Sequence, residues 1–233
     1  MSEAQPLPVV LIACKVFQFF IEKYFPSGFI QNIIFLDYGL HRVPKNLKTA
    51  LQEQLDQITT PSLVILGYGL CGNGLNGIYA GSHTLLVPRT DDCIAILLGS
   101  YQTYQREFST IPGTYYLTKG WLESGSNPLQ EYQEYKERYG EEKATWLMDT
   151  QYHNYKRIAF IAHEQKDLDR YRQTAQDVAK YCERWGMSYE EMLGSDQYIR
   201  RLAETALALD IKNEDFIVIP PGGELKQRDF IRF

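Results

Sequence analysis

Three thiols and one imidazole in this chain stand just beyond short apolar runs. Cys14 follows Val9-Val10-Leu11-Ile12-Ala13, and His41 comes soon after Ile33-Ile34-Phe35-Leu36. Cys71 comes soon after Leu63-Val64-Ile65-Leu66, and Cys93 after Thr84-Leu85-Leu86-Val87. Thiolate is a soft ligand and imidazole a borderline one, and four such groups make a tetrahedral zinc set. With His41 left out, three thiolates leave an open position, which suits a catalytic zinc or an iron–sulfur cluster with one exchangeable iron. The spacing matches no CxxC-type pattern, as expected when ligands come from separate loops. Two other readings stand beside the metal site. Cysteine is among the most buried residue types, so the thiols could be inert packing. Alternatively, Cys93 is a lone reactive thiol in the first turn of a helix opened by Thr90-Asp91-Asp92. The helix dipole favours a thiolate there and the two aspartates oppose it. The fourth cysteine, Cys182, falls in a helical pattern and reads as a small core residue.

Other polar residues group around these. Arg89 could pair with an anionic substrate, or with Asp91 or Asp92. Asp92 could touch substrate or cap the helix that carries Cys93. The turn Gly67-Tyr68-Gly69-Leu70-Cys71-Gly72-Asn73-Gly74 lacks the Gly-Lys-Ser/Thr of a phosphate loop and fits the dinucleotide fingerprint only loosely. Its glycines, Gly72 among them, let the backbone approach something closely at Cys71. Farther on, His163-Glu164 follows one apolar run, and Pro220-Pro221-Gly222-Gly223-Glu224 follows another. His163 and Glu224 could complete a cleft, although a satisfied strand-end histidine is the commoner case. Tyr132, Tyr135 and Tyr139 form a helical stripe that reads as core or partner face. The sequence holds no Ser-His-Asp triad order, HExxH or EF-hand loop.

These residues need elements to position them. The runs at 9–13, 33–36, 63–66 and 84–87 read as buried strands. Helices are predicted over 15–24, 44–57 and after Asp91-Asp92. Pro44 suits a first turn, and Leu47, Leu51, Leu55 and Ile58 keep helical spacing. In the second half, strands are predicted at 115–117, 157–162 and 216–219, with helices over 128–153, 167–185 and 197–209. This alternation predicts an α/β fold with mostly parallel sheets built from βαβ units, as two Rossmann-like lobes with a cleft. The first lobe, 1–112, carries the cysteine-rich edge. The second, smaller lobe, 113–233, carries a helical insertion; one continuous sheet is the alternative. The end of the chain reads as a tail that packs back through Phe230 and Phe233. Ligands of open parallel sheets bind at the carboxyl ends of the strands, where Cys14, His41, Cys71 and Cys93 all fall.

Bulk properties bound the function. The chain has 233 residues, of which 44% are hydrophobic and 23% charged, enough for a real core without disulfide staples. A net charge of −5 argues against a protein built mainly to grip nucleic-acid backbone, with a local basic patch left open. Four cysteines are too few for a secreted disulfide scaffold. No apolar run reaches the roughly 18–20 residues of a membrane span. Leu11-Ile12-Ala13-Cys14 resembles a lipoprotein cleavage box, but Glu3, Pro6 and Pro8 precede it with no Lys or Arg. A cytoplasmic protein with reduced thiols is expected, taking a small molecule as ligand and neither nucleic acid nor membrane. A protein partner or homo-oligomer remains open.

Leu40-His41-x-x-Pro44, Gly67-Tyr68-Gly69-Leu70-Cys71-Gly72 and Arg89-x-Asp91-Asp92-Cys93 with Leu98-Gly99-Ser100 form a set of blocks. Gly113-Thr114-Tyr115-Tyr116-Leu117 with Gly120-Trp121, and Val218-Ile219-Pro220-Pro221-Gly222, complete it. Together they resemble the signature of the uncharacterised domain-of-unknown-function family numbered 1638, over about residues 8 to 223. The resemblance carries no established activity. It implies that the Cys71, Asp92-Cys93 and His41 blocks are family motifs. Through corrinoid-dependent methyltransferases near some relatives, it also implies one-carbon or metal-cofactor chemistry. Two functions are therefore expected as alternatives. One is an enzyme with zinc or an iron–sulfur cluster on Cys14, Cys71 and Cys93, with or without His41, and with Arg89 orienting an anionic substrate. The other is a non-catalytic module that carries a metal, a corrinoid or a small anion for a methyltransferase partner.

Overall fold

The computed structural model describes residues 7–208 and 214–232. Strands β1 (Val9–Cys14), β2 (Asn32–Leu36), β3 (Leu63–Gly67), β4 (Ile78–Tyr79) and β5 (Thr84–Pro88) come first. Helices α1 (Gln18–Tyr24), α2 (Pro44–Asp56) and α3 (Cys93–Leu97) fall between and after them. The middle of the chain holds α4 (Tyr101–Thr110), β6 (Thr114–Thr118), α5 (Lys119–Glu123), α6 (Pro128–Tyr139), α7 (Glu141–Tyr152), β7 (Arg157–Ala162), α8 (Gln165–Cys182) and β8 (Ser188–Leu193). The last part holds α9 (Gln197–Ala208), β9 (Phe216–Ile219) and β10 (Glu224–Leu225). No described helix is long and apolar enough to cross a membrane.

The chain divides into two units. One runs up to Ile96 and resumes at Asp196; the other is Leu97–Ser195. The first unit is built on a five-stranded sheet in the order β2-β1-β3-β5-β9. Its first three pairings are parallel, and β9 runs antiparallel to β5. β1 and β3 are buried along their whole length, which is why they read as unbroken apolar runs. β2 is an edge strand and half exposed. Helix α2 opens with Pro44 and buries Leu47, Leu51 and Leu55 on one stripe. β4 and β10 pair as a short antiparallel ribbon.

The division differs from the expected one at 112. Strand β9, Phe216–Ile219, returns to the first sheet rather than building a second one. Its four apolar residues need a partner, and β5 would otherwise present an open edge. A sheet that is parallel apart from one antiparallel edge strand is the result. Residue 209, expected at the end of the last helix, and Phe233, expected to pack back, lie outside the described residues. Phe230 is buried.

The second unit has a three-stranded parallel sheet, β6-β7-β8. Its core gathers Leu117, Met148, Tyr152, Ile158, Phe160, Val178 and Cys182. The 128–153 helical stretch is two helices, broken at Gly140 with φ +83. Helix α4 was not predicted; Ser100 caps it, its Oγ accepting the Thr103 N–H at 3.0 Å. β8 was also not predicted, because Glu190 and Glu191 interrupt its pattern. Glu190 is held by the buried Arg157, which also reaches Glu107 at 2.9 Å. Glu191 is held by Arg172 at 2.9 Å. The two ends of this unit meet, the Ser195 N–H donating to the Leu97 carbonyl at 3.0 Å.

Candidate functional site

β2 lies on one side of β1 and β3 on the other, so the strand order reverses between β1 and β3. Ligands of open α/β sheets bind at such a reversal, outside the carboxyl ends of the strands. Cys14 is the last residue of β1, and Ala13 pairs with Gly67, the last residue of β3. A Cβ on Gly67 would stand 2.6 Å from the Ala13 Cβ, so glycine lets the two strand ends close. Past Gly67 the chain runs along the segment after β5. The Leu70 N–H donates to the Thr90 carbonyl at 2.8 Å and the Cys71 N–H to the Asp91 carbonyl at 2.9 Å. A Cβ on Gly69 would stand 2.6 Å from Thr90 Oγ1 and 2.8 Å from the Asp92 backbone. This close run of backbone brings Cys71 Sγ to 3.5 Å from Cys93 Sγ.

Three consecutive residues here have left-handed backbone: Cys71 at φ 48, Gly72 at φ 62 and Asn73 at φ 77. For the two that carry a side chain this costs on the order of 1 kcal/mol each, a strain typical of functional loops. Cys93 begins α3, and the Asp92 carboxylate accepts the Ile94 N–H at 2.8 Å. Asp92 thus caps the helix, the commoner of its two expected roles.

Cys14 and Cys71 are buried and Cys93 is partly exposed. The contact with Cys71 and burial push the Cys93 thiol well above its ordinary value, and Asp92 adds to this; the Gly69 amide pulls against it. Burial pushes the Cys14 thiol up strongly, with Cys93 and Asp37 adding and the Val16 amide opposing. The charged groups that act on these thiols are carboxylates and each other. Beside them, Tyr68 is only 2% exposed, and its buried hydroxyl has no hydrogen-bond partner among the described residues. Burial and then Cys14, Cys93, Cys71 and Asp37 all hold its phenol above the ordinary value, so it keeps its proton.

The expected metal set is only partly assembled. Among the described residues, no group of three or more His, Cys, Asp or Glu has the spacing to hold a metal ion. Cys71 and Cys93 form a close pair, and Cys93 raises the Cys14 thiol electrostatically. His41 stands exposed in the short helical turn Tyr38–Arg42, whose start is capped by Asp37 at 2.8 Å from the Gly39 N–H. Arg89 is neither a free anion-binding group nor paired with Asp91 or Asp92. Its Nε and Nη2 donate to the carbonyls of Asp229 and Ile231, both at 2.8 Å, and its own carbonyl accepts from Arg232 at 2.9 Å. Gly72 has its positive φ, and a Cβ there would touch Pro44 at 3.4 Å.

His163 belongs to the second unit. Its Nε2 lies 2.8 Å from the Leu97 carbonyl oxygen, which also receives the Ser195 N–H. That places it where the two ends of the unit meet. Glu224 sits on the β10 ribbon of the first unit, opposite Tyr79. Cys182 is fully buried in the second core, and burial pushes its thiol up to about 12. Tyr132 packs its ring 5.3 Å from that of Tyr181, while Tyr139 is exposed. Tyr68 is the site residue that the sequence reading passed over. Its signal is its place, one residue past a buried strand and between two glycines.

Comparison with known families gives one match. The model of a family described as a protein of unknown function (DUF1638) matches residues 35–203, a span that includes Cys71 and Cys93 and leaves out Cys14. No curated protein and no solved structure matches the chain.

Proposed function

We propose that this chain, which belongs to the DUF1638 family, holds a thiophilic metal ion between Cys71 and Cys93, with Cys14 closing in as a third ligand. The observation that carries this is the 3.5 Å sulfur pair. At a metal–sulfur bond of about 2.3 Å, two ligands of one tetrahedral ion stand about 3.8 Å apart. A disulfide needs about 2.05 Å, and the four cysteines are free. In a cubane-type cluster each cysteine holds a different iron, which spaces the sulfurs more widely. A single ion such as zinc therefore fits better than such a cluster.

Electrostatics supports the same reading. Neighbouring thiols that raise one another, with Asp37 and Asp92 nearby, resist ionising in the absence of a cation. A divalent cation supplies the missing positive charge and drives the protons off. A redox dithiol would need a thiolate ready to attack, which these raised thiols disfavour. Three or fewer protein ligands leave the ion open to a further small ligand. The site is thus one for chemistry or transfer rather than a closed structural clasp.

The test is metal analysis of protein purified without oxygen, followed by zinc or cadmium titration of the metal-free chain. About one ion per chain, lost in Cys71→Ser and Cys93→Ser, is expected. No uptake, with Cys14, Cys71 and Cys93 all freely alkylated in the presence of metal, overturns the reading. To separate enzyme from carrier, a Cys14→Ser chain that still binds metal is compared with the wild type for ligand exchange at the ion.

A further inference from the structure

The five-stranded sheet has two edges, β2 and β9, and they differ. On β9, Phe216, Ile217 and Ile219 are buried. On β2 no residue is buried, and Ile33 is 40% exposed. Yet Ile33-Ile34-Phe35-Leu36 is an unbroken apolar run, like those of the interior strands β1 and β3. Native proteins blunt a free edge with charge, proline or a bulge. β2 carries no charged residue and no proline, and its register with β1 runs without a break from Asn32 to Leu36. It has the composition of an interior strand and, among the described residues, a neighbour on one side only. A cleft of about 510 Å³ opens beside it. Asn32 and Ile34 line the cleft with Val10, Gln54, Gln57 and Ile58, and among the described residues no charged side chain does.

We infer that β2 pairs antiparallel with β2 of a second copy of this chain, about a two-fold axis at Ile34. The inference does not rest on the metal reading. A second copy is the occupant because the strand is its own complement. Centred on Ile34, the pairing sets Ile33 opposite Phe35 of the other copy, Asn32 opposite its Leu36, and Ile34 opposite Ile34. Asp37, just past the strand, falls opposite Gln31, so a chain of net charge −5 brings no like charges face to face here. A parallel pairing in register would set Asp37 against Asp37. Residues two apart share a face of a strand, so Leu36 of the other copy lies on the face of Asn32 and Ile34, at the cleft. That side chain is half buried in a single copy, and it gains the apolar floor of Val10, Ile34 and Ile58. The two-fold axis makes the same contact twice. Both copies use the same surface, so the assembly closes at two and does not grow into a fibre. Five residues from each copy make an interface below the roughly 800 Å² per partner of a standard stable complex, so the dimer is reversible.

Sedimentation of the full chain under reducing conditions, from about 1 μM to about 1 mM, tests this. Monomer should give way to dimer as concentration rises, with no larger species. Ile33→Lys places a charge on the edge, and the dissociation constant should rise at least about 10-fold, because each dimer loses two apolar contacts. Leu193→Lys, at a residue 71% exposed in the other unit, should leave it unchanged. The register is read separately, so the test does not depend on Ile33→Lys folding. Under mild oxidation Ile34→Cys should form a disulfide between the two copies at position 34, identified by mass spectrometry, and Asn32→Cys should form none at position 32. A wild type that stays monomeric to the top of the range overturns the inference. So does a folded Ile33→Lys chain that dimerises as tightly as the wild type, or a link at position 32 in place of 34.

Discussion

Cys71 Sγ and Cys93 Sγ stand 3.5 Å apart although 22 positions separate them in sequence. The contact is made by backbone. Two hydrogen bonds, from Leu70 and Cys71 to the carbonyls of Thr90 and Asp91, bring the loops after β3 and β5 together before any side chain is considered.

If the two sulfurs share an ion, each is a direct ligand. Cys71→Ser and Cys93→Ser should each weaken zinc binding by more than the roughly 10- to 100-fold that loss of an outer partner costs. Cys182→Ser, in the other core, should leave the affinity unchanged. Competition against a chelator of known affinity measures all three, and equal affinities throughout would remove the pair from the site.

Gly69 is where the loops touch most closely. Gly69→Ala places a methyl group within 3 Å of both Thr90 and the Asp92 backbone. A loss of about 1–3 kcal/mol in stability is expected, with loss of metal uptake. Gly28→Ala is the control for metal uptake: a Cβ there meets nothing within 4 Å, and its cost is the backbone strain of φ +80, which Gly69 does not share. Metal uptake should survive in the control and fail in Gly69→Ala. Matching behaviour would mean that the contact is not tight.

Arg89 acts on the C-terminal segment. Arg89→Gln loses charged hydrogen bonds to Asp229 and Ile231, and is expected to lower stability by about 1–3 kcal/mol. Limited proteolysis should begin near the C-terminus while zinc affinity stays as in the wild type. An intact tail with weaker binding of a small anion would restore the anion-site reading of Arg89.

The Cys182 thiol supplies a pH signature. Burial raises it from 9.0 to about 12 in the folded chain. The raised value favours folding fully below about pH 9, and the advantage is lost as pH climbs toward about 12. In that window the wild type should lose up to about 1.4 kcal/mol per pH unit more than Cys182→Ala, which begins from a lower value because of its packing defect. Parallel stability curves would show that this thiol ionises as freely folded as unfolded.

Legibility in the sequence followed burial. β7 and β9 lie at their predicted limits, because an apolar run buried on both faces announces itself without its neighbours. β8 did not, since its glutamates are neutralised by Arg157 and Arg172, arginines from earlier elements. The apolar run of β9 marked it as a strand, but nothing in four apolar residues says which edge it joins. At the site, the strand-end cysteines were visible. Their contact was not, because it depends on main-chain bonds that carry no residue signature. The partners of Arg89 were hidden for the same reason, both being carbonyls.

The return of β9 to β5 has a consequence for biosynthesis. The unit that carries the thiols begins before Ile96 and is completed only after Asp196. On the ribosome, the edge of β5 must wait unpaired while the whole of Leu97–Ser195 is made. That middle segment joins its own ends through Leu97 and Ser195, so it can close first. The thiol-bearing sheet is then sealed last, by Phe216–Ile219 and the segment that Arg89 grips. A nascent chain stalled before residue 216 would expose an apolar sheet edge beside reduced cysteines. Chaperone capture and premature oxidation are therefore hazards of synthesis for this protein, more than of its finished state.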